Sequence, residues 1–222
     1  MAQRIASRPM ARIILFGARG KLGHFLIPEA LDRGHEVTAV TRDGSGIEPA
    51  DRLSIVVGEI IDPSGVAALA AGHDAAVSAI GPREGDPHEK LSQDFQTLLA
   101  GLAEAGVPRV VIVGGAGSSE VAPGQLLIDQ PDFPEVAKPT ASKAVTALAK
   151  LRTTETPVDW AFMSPAAFFD PDGPRTGTYR TGTDNLISDD EGSYLSYADG
   201  AIAVIDEVEQ ANHHFTRFTT GR

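Results

Sequence analysis

A chain of 222 residues with 42% hydrophobic content can bury one substantial core. Its formal net charge of −11 argues against a polyanion-binding role, and the absence of cysteine excludes disulfides, thiolate metal sites and a cysteine nucleophile. No apolar run approaches the ~18–20 residues needed to cross a bilayer, and residues 1–10 hold Arg4 and Arg8 without an apolar stretch, so they read as a flexible arm and not a secretion signal. The expectation is a cytoplasmic protein, not membrane-bound, with one domain over residues 11–222.

The first predicted strand, residues 12–16, runs into Gly17-x-x-Gly20-x-x-Gly23. Gly17 lets the chain turn off the strand, Gly20 removes a side chain where backbone must approach a pyrophosphate, and Gly23 lets the next helix pack on the sheet. The helix predicted over 21–33, which takes in Lys21 and Leu22, then presents its N-terminal N–H groups and dipole to the phosphates. A strand before the glycines and a helix after them is the context this motif requires. A second strand, 36–41, ends at Thr41-Arg42-Asp43. An acidic residue at this strand end holds the adenosine ribose in NAD-binding sites, whereas an arginine pairs with a 2′-phosphate. Arg42 occupies the position and Arg19 can reach the same region, which favours NADP(H), with NAD(H) possible. Asp43 takes the ribose instead if the chain bends one residue later.

Further along, strands are predicted over 53–57, 74–80, 109–113 and 158–163, alternating with helices over 64–71, 87–105 and 140–152. Asp62-Pro63 is a helix-starting pair. Leu91, Phe95, Leu98, Leu99 and Leu102 lie on one face of the long helix. Residues 114–139 form the longest irregular stretch, and Leu126, Leu127, Ile128 and Phe133 within it mark either a lid over a binding pocket or a segment packed permanently on the core or on a second subunit. The tail carries short strand signals, a helix over 198–210 and a last strand over 215–219. This rhythm predicts an α/β fold: a Rossmann-like, doubly wound parallel sheet with a small C-terminal substrate-pocket region. His213 and His214 fall on opposite faces of a strand, and Asp189-Asp190-Glu191 reads as a solvated turn, so no metal site is expected.

The glycine motif, the Thr41-Arg42 strand end, Val113-Gly114-Gly115-Ala116-Gly117-Ser118 and Ser164-Pro165-Ala166 together resemble one family. Three tail patterns join them: Arg175-Thr176-Gly177-x-Tyr179-Arg180, Ser196-Tyr197-Ala198-Asp199, and His214-Phe215-Thr216-Arg217-Phe218-Thr219. The chain is similar to the NADH-flavin reductase subgroup of atypical short-chain dehydrogenase/reductases, relatives of the NAD(P)H-binding, NmrA-like and biliverdin/flavin reductase proteins. The resemblance implies that Gly114 and Gly115 lie beside the nicotinamide ribose and that Ser118 positions substrate or carboxamide. It implies that Ala79, Ile80 and Gly81 line the inner ribose and that Glu59, Ile60 and Ile61 flank the adenine. Ser164, Pro165 and Ala166 would cover the nicotinamide, with Phe168 and Phe169 as apolar wall.

Lys143 has two readings, a group reaching the nicotinamide ribose or a solvated helix lysine. Tyr179 likewise closes over the pocket or is a surface aromatic. None of the three tyrosines stands four residues before a lysine, so the Tyr-x-x-x-Lys pair of typical short-chain dehydrogenases is missing and a nucleotide-sugar epimerase or dehydratase is disfavoured. Flavin reduction needs no strong protein acid, because hydride goes to an electron-poor ring. The implied function is NAD(P)H-dependent reduction of FMN, FAD or a similar small planar acceptor, the flavin serving as substrate and not as a tightly bound cofactor. The alternative is an NmrA-like redox sensor that binds NADP(H) without turnover. No nucleic-acid partner is expected, and the chain is a monomer or homodimer.

Overall fold

The computed structural model describes residues 10–83 and 85–222, so the arm expected over 1–10 lies, Met10 aside, outside the described residues. Alternation of side chains along each strand decides the layering. In β1 (Arg12–Phe16), Ile14 and Phe16 enter one apolar cluster while Ile13 and Leu15 enter another on the opposite face. The same split recurs in β5 (Arg109–Val113), where Val110 and Ile112 face one way and Val111 and Val113 the other. Strands buried on both faces read as unbroken apolar runs, the signature of a parallel sheet covered by helices.

Joining them are α1 (Gly23–Asp32), β2 (Glu36–Thr41), β3 (Leu53–Val57), α2 (Pro63–Ala70), β4 (Ala75–Ser78) and α3 (Lys90–Ala105). After β5 come the short pair β6 (Glu120–Ala122) and β7 (Gln125–Leu126), then α4 (Lys138–Leu151) and β8 (Asp159–Ser164). The chain closes with β9 (Phe168–Asp170), β10 (Arg180–Gly182), β11 (Tyr194–Ser196), α5 (Tyr197–Gln210) and β12 (Thr216–Gly221). The main sheet has eight strands in the order β10-β12-β8-β5-β4-β1-β2-β3, parallel throughout except for the edge strand β10. Helices α2, α3 and α4 cover one face, and α1 packs with α5 on the other. This is the Rossmann-like α/β fold expected, and its chain direction switches between β1 and β4, where such sheets open a crevice at their carboxyl ends.

Segment 114–139 departs from the irregular loop expected. Two 3-10 turns (Ala116–Ser118 and Leu127–Asp129) flank the β6–β7 pair. Leu127 N donates to the Ser119 carbonyl at 2.8 Å, and Glu120 bridges to Asn185. These bonds join residues distant in sequence, which local turn signals cannot reveal.

Candidate dinucleotide site and adjoining cleft

Gly17 sits at φ +84°, and a Cβ there would lie 2.7 Å from the carbonyl carbon of Ala79. Only glycine lets the loop after β1 press against the end of β4. A Cβ at Gly23 would run into the Ala18 carbonyl, so α1 starts tight against the same loop. The first turn of α1 has no side-chain cap and no acidic residue. By contrast Asp62 caps α2 through Gly65 N at 2.9 Å, and Ser196 caps α5 through Asp199 N at 3.0 Å. An uncapped helix start beside a glycine cradle fits the pyrophosphate of a dinucleotide.

The end of β2 is more heavily paired than its sequence suggests. Both carboxylate oxygens of Asp43 accept from Arg19 Nη1 at 2.8 Å. The Ser45 backbone N–H and hydroxyl, followed by Arg19, hold the Asp43 carboxyl down at about 2. Arg42 Nε lies 4.0 Å from Glu59 Oε1. Each guanidinium expected to await a 2′-phosphate therefore already has a carboxylate neighbour. Of the residues expected at the adenine, Ile60 packs against the core beside α2 and α3, while Ile61 is exposed.

Beyond the loop a cleft of about 510 Å³ opens at the carboxyl ends of the central strands. Ile80, Gly81 and Pro82 bring the end of β4 to it, and Val113 with Gly114, Gly115, Ala116 and Gly117 brings the end of β5. Thr140, Ala141 and Ala144 of α4 form a second wall, and Leu127, Phe133, Pro134 and Ala137 form a third. Ala167, Phe168 and Ser193 close the side nearest β8.

Ile80, Gly81, Gly114, Gly115 and Phe168 thus line one cleft, and Ala79 backs the glycine loop. Gly114 differs in reason: a Cβ there would enter the Phe162 ring, so its missing side chain serves packing and not the approach of a ligand ring. Ser118 does not line the cleft; its carbonyl accepts from the buried Arg217 at 3.3 Å. Lys143 is buried on α4, not solvated, and its Nζ donates to the Arg83 carbonyl at 3.2 Å. Ser164, Pro165 and Ala166 are buried, and the Ser164 hydroxyl has no hydrogen-bond partner among the described residues.

Two expected pocket residues stand elsewhere. Phe169 packs on Tyr197 with ring centroids 4.2 Å apart, in the cluster under α1 and α5. Tyr179 joins the same cluster and its hydroxyl donates to Asp206. Strand alternation explains the first: Phe168 and Phe169 are neighbours in β9, so one faces the cleft and the other the core. None of the three tyrosines lines the cleft. Burial and Asp206 push the Tyr179 phenol up, Asp170 does the same at Tyr194, and burial alone does so at Tyr197. Several cleft residues outside the expected set, Pro134, Ala137, Thr140 and Ala141 among them, come from the segment before α4 and from its first turns. The apolar Leu127 and Phe133 in a Gly/Pro-rich stretch were the visible signal for that wall.

A glycine cradle at the switch point of a doubly wound sheet, with an open crevice beside it, defines a dinucleotide-binding protein of the oxidoreductase type. The chain belongs to the NAD(P)H-binding domain family, whose sequence profile matches residues 17–209. It is 42% identical over 211 residues to protein YwnB of Bacillus subtilis, covering 94% of this chain and 97% of that one. A “putative exported protein” from Burkholderia pseudomallei superposes with a TM-score of 0.85 at 40% identity, covering 96% of this chain and all of the other. A “putative NADH-flavin reductase” from Streptococcus pneumoniae superposes with a TM-score of 0.83 at 33% identity, covering 96% of this chain and 99% of that one. No helix among the described residues is long and apolar enough to cross a membrane.

Proposed function

We propose that this protein is an NAD(P)H-dependent reductase, preferring NADPH, that passes hydride to a flavin or similar planar acceptor. The observation that carries the reading is the cleft of about 510 Å³ at the carboxyl ends of β4 and β5, whose lining residue Ile80 adjoins Gly17 of the glycine loop. Gly17, Gly20 and Gly23 with the start of α1 would hold the pyrophosphate, with Lys21 and Leu22 at the turn into the helix. Arg42 and Arg19 would meet the 2′-phosphate, with Glu59 and Ile61 near the adenine. Ala79, Ile80 and Gly81 would flank the inner ribose, and Gly114 and Gly115 the nicotinamide ribose. Lys143 would act indirectly, by holding the 81–83 loop through the Arg83 carbonyl.

When bound there, a reduced nicotinamide supplies the hydride. The chain's own part is alignment and exclusion of water: apolar walls from Leu127, Phe133 and Phe168 press a flat ring toward the backbone at Gly114–Gly117. No tyrosine in the cleft serves as an acid, which suits an acceptor whose remaining proton comes from solvent. The flavin reductase likeness of the Streptococcus protein supports the acceptor class. The test is NADPH consumption with riboflavin, FMN, FAD, a quinone and biliverdin. Turnover above the no-enzyme rate is expected; tight NADPH binding with no turnover for any acceptor would instead support a dinucleotide sensor.

A further inference from the structure

The two ends of the site differ in charge. Arg19, Lys21 and Arg42 stand around the glycine loop, where a cofactor's phosphates would lie. Among the described residues lining the cleft, Asp132 is the one charged side chain. Of the cations on the segments that border it, two are engaged and the third does not line the cleft. Lys138 pairs with Glu135 at 2.5 Å, Lys143 donates to the Arg83 carbonyl, and Arg83 is exposed beside Pro82 without lining the cleft. The two hydroxyl side chains of the lining are also committed: Thr140 Oγ1 donates to the Ala137 carbonyl at 3.0 Å and Ser193 Oγ to the Ile187 carbonyl at 2.6 Å.

Building on the reductase reading above, we infer that the acceptor is an uncharged planar ring, a quinone or the riboflavin form of a flavin, and that Asp132 selects against acceptors bearing phosphate or carboxylate groups. An anionic acceptor entering this cleft loses hydration, meets no cation or uncommitted hydroxyl donor, and faces a like charge. The net charge of −11 acts in the same sense over the whole approach. An uncharged ring carries no charge toward Asp132 and packs on the apolar walls. In the transfer the ring gains a hydride from the dinucleotide and one proton from water, becoming a hydroquinone or dihydroflavin while the dinucleotide is oxidised.

The test is equilibrium binding in the presence of saturating NADP⁺, so that affinity is read without turnover. Riboflavin and FMN are compared by flavin fluorescence; an uncharged and a carboxylated quinone are compared by protein fluorescence. The uncharged member of each pair should bind about tenfold tighter, the size of one like-charge contact at a protein surface. Asp132→Asn should narrow the riboflavin/FMN ratio and Asp132→Lys should reverse it, with riboflavin affinity held within about twofold. The pair that binds identifies the source of the ring. Equal affinity for FMN and riboflavin, a ratio unmoved in Asp132→Lys, or loss of FMN alone in Arg83→Ala would each overturn the proposal. If NADP⁺ binds and no ring does, the acceptor reading falls with it. If NADP⁺ itself fails to bind, the fault lies in the cofactor reading, which thermal shift with NADP⁺ alone reports separately.

Discussion

Arg19 and Asp43 meet through both carboxylate oxygens at 2.8 Å, at the place where a 2′-phosphate would compete for the same guanidinium. Replacing Asp43 with Asn frees Arg19, so NADPH affinity should rise by a few-fold while NADH affinity does not; titration with both cofactors checks this. Arg42→Ala should weaken NADPH about tenfold or more and leave NADH nearly unchanged, since a charge-assisted hydrogen bond contributes about 1.5–3 kcal/mol. Equal losses would show that Arg42 does not read the phosphate. The buried Arg217 makes a different argument. It donates to Asp184 at 2.5 Å, to the Ser118 carbonyl and to Ser119 Oγ, pinning the turn that lines the cleft. Arg217→Met should cost about 1–3 kcal/mol in urea unfolding, because it takes the donor from the buried Ser119 Oγ and the half-buried Ser118 carbonyl. Arg217 holds the Asp184 carboxyl below its usual range. That pair is therefore intact above about pH 4 and is lost as pH falls through the depressed value. Asp184→Asn should lower Tm slightly at pH 7, and the gap to wild type should close below about pH 4.

Helix and loop differ in how firmly they are fixed. The Asp62 cap on α2 accepts from Gly65 N at 2.9 Å, and Asp62→Ala should cost about 1 kcal/mol, read as a lower urea midpoint at unchanged slope. In the stretch between β5 and α4, the β6–β7 pair is tied to Asn185 and to the Ser119 carbonyl, whereas Asp132, Phe133, Pro134 and Ala137 border the cleft. Hydrogen exchange should find 119–127 protected with or without ligand and 130–137 protected only with cofactor and acceptor bound. Uniform strong protection across both would rule out a closing tip. The limits of β2, β3 and β5 were readable in the sequence because short apolar β-rich runs ended at turn residues. The three-residue strands β9, β10 and β11 were not separable, since so short a run carries too few residues for a period.

At the scale of the molecule, one property organises the rest: the strand order reverses between β1 and β4, and the glycine loop stands at that point. The sheet's direction places the cations of the loop at one end of the site and the apolar cleft, with Asp132 as its one described charge, at the other. The sequence alone determined the fold class and the glycine cradle, because those depend on local spacing: a strand, three glycines at fixed intervals, then a helix. It also determined that no tyrosine–lysine pair with the usual spacing exists, a matter of counting residues. Only the tertiary structure decided which way each aromatic faces. It sent Phe169 and Tyr179 into the core beneath α1 and α5, left Phe168 at the cleft, tied Arg19 to Asp43, and placed Arg217 under the turn beside the cleft. Each of those contacts joins residues far apart in the chain, and the burial that selects among them is a property of the packed molecule and not of any segment.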